Sequence, residues 1–152
     1  MAPLLNAYME QEYRPRSVVP EDAQRLLPAL KQEGYVLALL SNRDKPFVEE
    51  AQALGIAPFF DLLLAGGEVN MWKPEPYLFA HACQRLHLAP AEALYIGDNY
   101  FADVIGARRA GLQPVLYDPR RVFDDPGCAT IRSFDELRGV LDGGAPTRLV
   151  GG

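Results

Sequence analysis

The chain has 152 residues, 49% of them hydrophobic and 23% charged, which suits one globular domain with a real core and excludes a disordered chain. Its net charge is −5, from 15 basic and 20 acidic residues. No basic stripe runs along it; the pairs Arg108-Arg109 and Arg120-Arg121 suit a solvated surface, so a nucleic-acid partner is not expected. The two cysteines, Cys83 and Cys128, stand outside any Cys/His cluster, which argues against zinc and for a reducing, cytoplasmic setting. No apolar run reaches the roughly 18–20 residues of a membrane span, and the N-terminal MAPLLNAYMEQEYR lacks the basic start of a signal peptide.

In chain order, the pattern predicts a short helix over 4–13, broken by Arg14-Pro15-Arg16-Ser17-Val18-Val19-Pro20. Helical spacing over 21–33 places Leu26, Leu27 and Leu30 on one face, and Gly34 ends the helix. Tyr35–Leu40 (YVLALL) reads as a strand covered on both faces. A helix over Pro46–Leu54 is capped by Gly55, and Asp61–Ala65 (DLLLA) is a second strand. Glu75–Leu88 is a helix opened by Pro74 and Pro76. Ala93–Ile96 is a third strand, Asn99–Ala110 a helix closed by Gly111, and Pro114–Tyr117 a fourth strand. Residues 128–132 form a short fifth edge strand. Ser133 and Glu136 have capping-box spacing before a last helix ending near Leu141, and the Gly-rich tail from 143 is expected to fray. Strand and helix alternate, so the fold class is α/β: three layers, Rossmann-like, with a mostly parallel sheet.

Such sheets bind ligands at the carboxyl ends of their strands. Ser41 and Asn42 follow the first strand, Lys73 follows the second, and Asp98 and Asp103 follow the third in the stretch YIGDNYFAD. A hydroxyl, a cation and two carboxylates converging there would hold a phosphate and a divalent metal. Two carboxylates about 4 Å apart repel by roughly 4 kcal/mol at an effective dielectric near 20, and Mg²⁺ reverses that sign. Each residue alone has a plainer reading. Asp98 can be a helix N-cap, Ser41-Asn42 a turn, and Lys73 a solvated side chain.

In combination, these stretches resemble the haloacid-dehalogenase-like (HAD) hydrolases from about residue 20 to residue 141. LLSN is similar to the family's second motif, WKPEPYLF to its third, and IGDNYFAD to its fourth; GARRAGLQPVLYD matches the usual continuation. The resemblance implies the Mg²⁺-dependent phosphatase branch and a small phosphorylated substrate. It gives Ser41 the phosphoryl group, with Asn42 supporting that loop. Lys73 is then the catalytic lysine, Asp98 the direct metal ligand, and Asp103 a ligand or its support. It also implies a domain division: 1–19 as the end of a cap, 20–142 as the core, and 143–152 as a tail.

The family's first motif, a strand ending in Asp-x-Asp, has no counterpart. The ten aspartates include no pair spaced i, i+2. Asp44 lies near the right place without the context of a nucleophile. Loss of a catalytic nucleophile can cost on the order of 10⁶ in turnover, so the chain alone is expected to have little activity. In the family the absent strand lies between those ending here at Ser41 and Gly97, which would leave a slot of about 10 Å. The expectation is a truncated reading of a longer gene. The alternatives are a non-catalytic phosphate-binding or protein-interaction remnant, self-associating through an unpaired sheet edge, and a receiver-like domain. The last would place its acidic cluster earlier and has no use for WKPEP.

Overall fold

The computed structural model describes residues 19–143. The expected helix over 4–13, almost all of the break after it, and the tail beyond 143 lie outside the described residues. Helix α1, Glu21–Gln32, starts after Pro20 with Glu21 and Asp22 in its first turn, where acidic groups suit the helix dipole. Ala23, Leu26, Leu27 and Leu30 form its buried stripe. Pro28 lies inside this helix on its exposed face, where its ring removes one backbone hydrogen bond without disturbing the core. Gly34, at φ 92°, turns the chain out of the helix.

Strand β1, Ala38–Ser41, begins three residues later than the apolar run suggests. Asp61 closes the strand entry. Its N–H donates to Leu37 O at 2.7 Å, and its carboxylate accepts from Leu37 N at 2.9 Å. Helix α2, Val48–Ala53, leads to β2, Leu62–Ala65, which pairs in parallel with β1 from Ala38↔Leu62 to Ser41↔Ala65. Helices α3, Gly66–Val69, and α4, Pro76–Arg85, lead to β3, Leu94–Gly97. A π-helical turn at Tyr100–Ile105 precedes α5, Gly106–Ala110. Strands β4, Gln113–Tyr117, and β5, Ala129–Ile131, complete a parallel sheet in the order β3-β4-β5. Helix α6, Leu137–Asp142, closes the fold.

The strands form two parallel sheets, β1-β2 and β3-β4-β5, rather than one mostly parallel sheet with a slot between the strands ending at Ser41 and Gly97. Both sheets nonetheless feed the same two apolar clusters. Leu37 and Leu39 join Leu94 and Ile96 beneath α1 and α6. Ala38 and Leu40 join Ala93 and Tyr95 beneath α4 and α5. Alternate side chains thus face opposite layers, as expected of strands covered on both sides. Each leucine so buried contributes about 1.5–3 kcal/mol. A small apolar cavity of about 20 Å³ remains under α4, between Ala38 and Leu40 of β1 and Leu94 and Tyr95 of β3. A single helix was expected over 99–110; its start, Tyr100–Ile105, is instead a π-helical turn. Among the described residues no helix is long and apolar enough to cross a membrane.

Candidate active site

Ser41 ends β1 and is 1% exposed. Its Oγ accepts from Arg43 N at 3.3 Å, a short turn that starts the next loop. That loop rests on the start of α3: Gly67 N donates to Arg43 O at 2.9 Å. A Cβ at Gly67 would lie 1.9 Å from Asp44 O, so only glycine lets the two segments approach this closely.

The Asn42 side chain turns towards Lys73. Its Nδ2 donates to Lys73 O at 3.0 Å and its Oδ1 accepts from Lys73 N at 2.9 Å. Lys73 Nζ donates in turn to Asp103 Oδ1 at 2.8 Å, and the two side chains are 0% and 1% exposed. The ammonium also lies 5.8 Å from the centre of the Tyr95 ring, within cation–π range. The second Asp103 oxygen accepts from Asn99 N at 3.0 Å. Gly97 makes room for this carboxylate, since a Cβ there would lie 2.3 Å from Asp103 Oδ2. Asn99 caps the π turn, its Oδ1 accepting from Ala102 N at 2.9 Å.

The structure therefore joins the ends of β1 and β3 through Asn42, Lys73 and Asp103. Asp98 sits partly exposed beside Gly97, directly after β3. Arg43, in the loop after Ser41, is ion-paired with Glu50, and its guanidinium lies 5.6 Å from the Phe47 ring centre. Asp44 is exposed. Cys83 lies in the core, and burial pushes its thiol above the ordinary range.

The carboxylates offer Mg²⁺ the right donor chemistry. One or two carboxylates, completed by water and substrate phosphate, are its usual protein ligands. Asp98 is the outer carboxylate, while Asp103 is bonded on both oxygens. Among the described residues no group of three or more His, Cys, Asp or Glu side chains could hold a metal by itself.

Two further carboxylates, Asp118 buried and Asp22 half-buried, organise other parts of the fold and were not singled out from the sequence. Asp118 accepts from Val122 N at 2.9 Å and Phe123 N at 3.0 Å, shaping the loop after β4. Asp22, on α1, accepts from Phe134 N at 2.8 Å across 112 residues of sequence. An Asp directly after a strand, followed by an arginine-rich turn, is a local signal for the first. No local signal exists for the second.

A family model described as haloacid dehalogenase-like hydrolase matches residues 4–111. The chain is 37% identical over 132 residues to a phosphoserine phosphatase of Thermus thermophilus, covering 86% of this chain and 53% of that protein. It is 33% identical over 136 residues to a phosphoglycolate phosphatase of Cupriavidus necator, covering 89% and 57%. Among solved structures, a HAD phosphatase from Thermococcus onnurineus superimposes with a TM-score of 0.77 at 30% identity, covering 84% of this chain and 60% of that one. A HAD-hydrolase of Bacillus subtilis bound to magnesium gives 0.71 at 25% identity, covering 80% and 54%. The chain spans about half the length of the curated relatives it matches.

Proposed function

The chain belongs to the haloacid dehalogenase-like hydrolases, and from that premise we propose that it is part of a Mg²⁺-dependent phosphatase acting on small phosphate monoesters. Phosphatase activity is named for relatives in two bacterial lineages, and the polar groups here suit it. The observation that carries the reading is the buried Lys73–Asp103 pair at the strand ends, tied through Asn42 to the strand that carries Ser41.

In this reading Ser41 and the backbone N–H groups of its loop bind phosphate oxygens, with Asn42 in the same loop. Lys73 offsets the negative charge of the phosphoryl group, and Asp103 keeps the ammonium in place. Asp98, with Asp103 behind it, would hold Mg²⁺, which when bound would supply positive charge against the phosphate.

No Asp-x-Asp pair stands in the chain. We place that pair on polypeptide beyond these 152 residues, in a strand between β1 and β3. The division of the sheet at that seam, and the half-length match to relatives, support this reading. The core module then runs over 20–142, with the end of a cap before it. The 152-residue chain by itself should hydrolyse an aryl phosphate no faster than buffer. Mg²⁺-dependent turnover of that ester by the purified chain, abolished by Asp98→Asn, would overturn the expectation of low activity.

A second reading rests on the same seam. Strands β1 and β3 are each laddered to one neighbouring strand among the described residues. A sheet interrupted there suits an interaction remnant that pairs with another chain or a second copy. Light scattering separates the two: a monomer at every concentration speaks against self-association.

A further inference from the structure

Lys73 is held at both ends. Its ammonium is fixed by Asp103 behind β3, and its peptide is fixed by the Asn42 carboxamide after β1. The carboxamide acts here as a second peptide group, since it donates and accepts on one edge as a backbone unit does. Ser41 is the residue before Asn42, so the two bonds also set how far Lys73 stands from the Ser41 hydroxyl. A lysine side chain loses rotamer freedom when fixed, and a backbone already in place limits what must be ordered.

We propose that Asn42 is a positioning residue for Lys73, bracketing its peptide so that the ammonium sits on Asp103, and is not itself a phosphate ligand. The proposal rests on the phosphoryl-site reading only for the use to which Lys73 is put. The bracket also spans the two sheets, from the end of β1 to the group seated behind β3.

The chain contains three lysines, Lys31, Lys45 and Lys73, so amine acetylation read by peptide mass spectrometry reports on Lys73 against two internal controls. In the wild type Lys73 should label slowest, because its side chain is 0% exposed. Asn42→Ala should speed Lys73 labelling roughly tenfold by releasing local opening, with Lys31 and Lys45 unchanged. Ser41→Ala should leave Lys73 protected. Inorganic phosphate binding, followed by ³¹P NMR, is the second readout. Loss of phosphate binding in Asn42→Ala while Lys73 stays protected makes Asn42 a ligand and overturns the proposal. If all three lysines label alike because Asn42→Ala unfolds, Asn42→Asp decides. That variant keeps the acceptor for Lys73 N–H and loses the donor to Lys73 O. An intermediate Lys73 rate supports the bracket, and wild-type protection overturns it. A wild type that binds no phosphate counts against the phosphoryl-site reading alone, because the labelling contrast is read without phosphate.

Discussion

A carboxylate withdrawn from water persists only where its neighbours replace the lost hydration. Asp103 has such neighbours: Lys73 Nζ on one oxygen and Asn99 N–H on the other. Removing one partner of a buried pair leaves an uncompensated charge and costs about 3–5 kcal/mol, whereas replacing both with apolar groups is often nearly neutral. Asp103→Asn should therefore destabilise the chain by about that amount in urea unfolding, and Lys73→Met with Asp103→Leu should recover much of it. A double variant as unstable as the single one would mean that packing around Gly97 matters more than charge. Lys73 and Asp103 were singled out from the sequence because each comes after a strand, and the structure pairs them. The Asn42–Lys73 bracket was not, since it joins positions 31 apart and nothing local marks it. Gly97 was legible as a strand end and not as the space that seats Asp103.

At the scale of elements, periodicity located every described strand and the longer helices, missed the one-turn helix α3, and placed some ends wrongly. An apolar run shows which residues are covered, not which are laddered. Tyr35–Leu37 is apolar and precedes β1 because Asp61 takes up Leu37's backbone groups. The π turn before α5 is invisible for a similar reason, since apolar spacing tolerates one wide turn. The capping box at Ser133 is half realised: the Glu136 carboxylate accepts from Ser133 N at 3.0 Å and also from Arg132 N. The Arg132 amide is the largest cause holding the Glu136 carboxyl below its usual value of 4.5. A lowered folded value means the carboxylate's stabilisation is complete above the ordinary pKa and lost as pH falls through the lowered one. Thermal midpoints of wild type and Glu136→Gln should differ at neutral pH and converge in acid. Parallel curves over that range would remove Glu136 from the account of acid sensitivity.

For the whole molecule, the three-layer α/β class was legible because alternating apolar strands and amphipathic helices admit few other packings. Side-chain pattern does not encode the division into two sheets, which is a matter of backbone pairing; the expectation of a slot between the strands ending at Ser41 and Gly97 came from the missing motif instead. Leu39 and Ile96 are 0% exposed in one cluster, and Leu40 and Tyr95 are 2% exposed in the other. Burial alone would suit one continuous sheet. Stability, however, follows ladders as well as burial. Strand β4 is laddered on both sides, by β3 and β5, and Val115 and Leu116 are 0% exposed. The pair β1-β2 forms a sheet of its own. Amides with two-sided pairing open only with the global unfolding free energy, while a smaller unit can open below it. Native-state hydrogen exchange should therefore show Val115 and Leu116 exchanging slowest, with the β1-β2 amides exchanging through a lower-energy opening. Equal opening energies in the two sheets would show that the shared apolar clusters couple them into one cooperative unit, and that the seam costs the fold nothing in cooperativity.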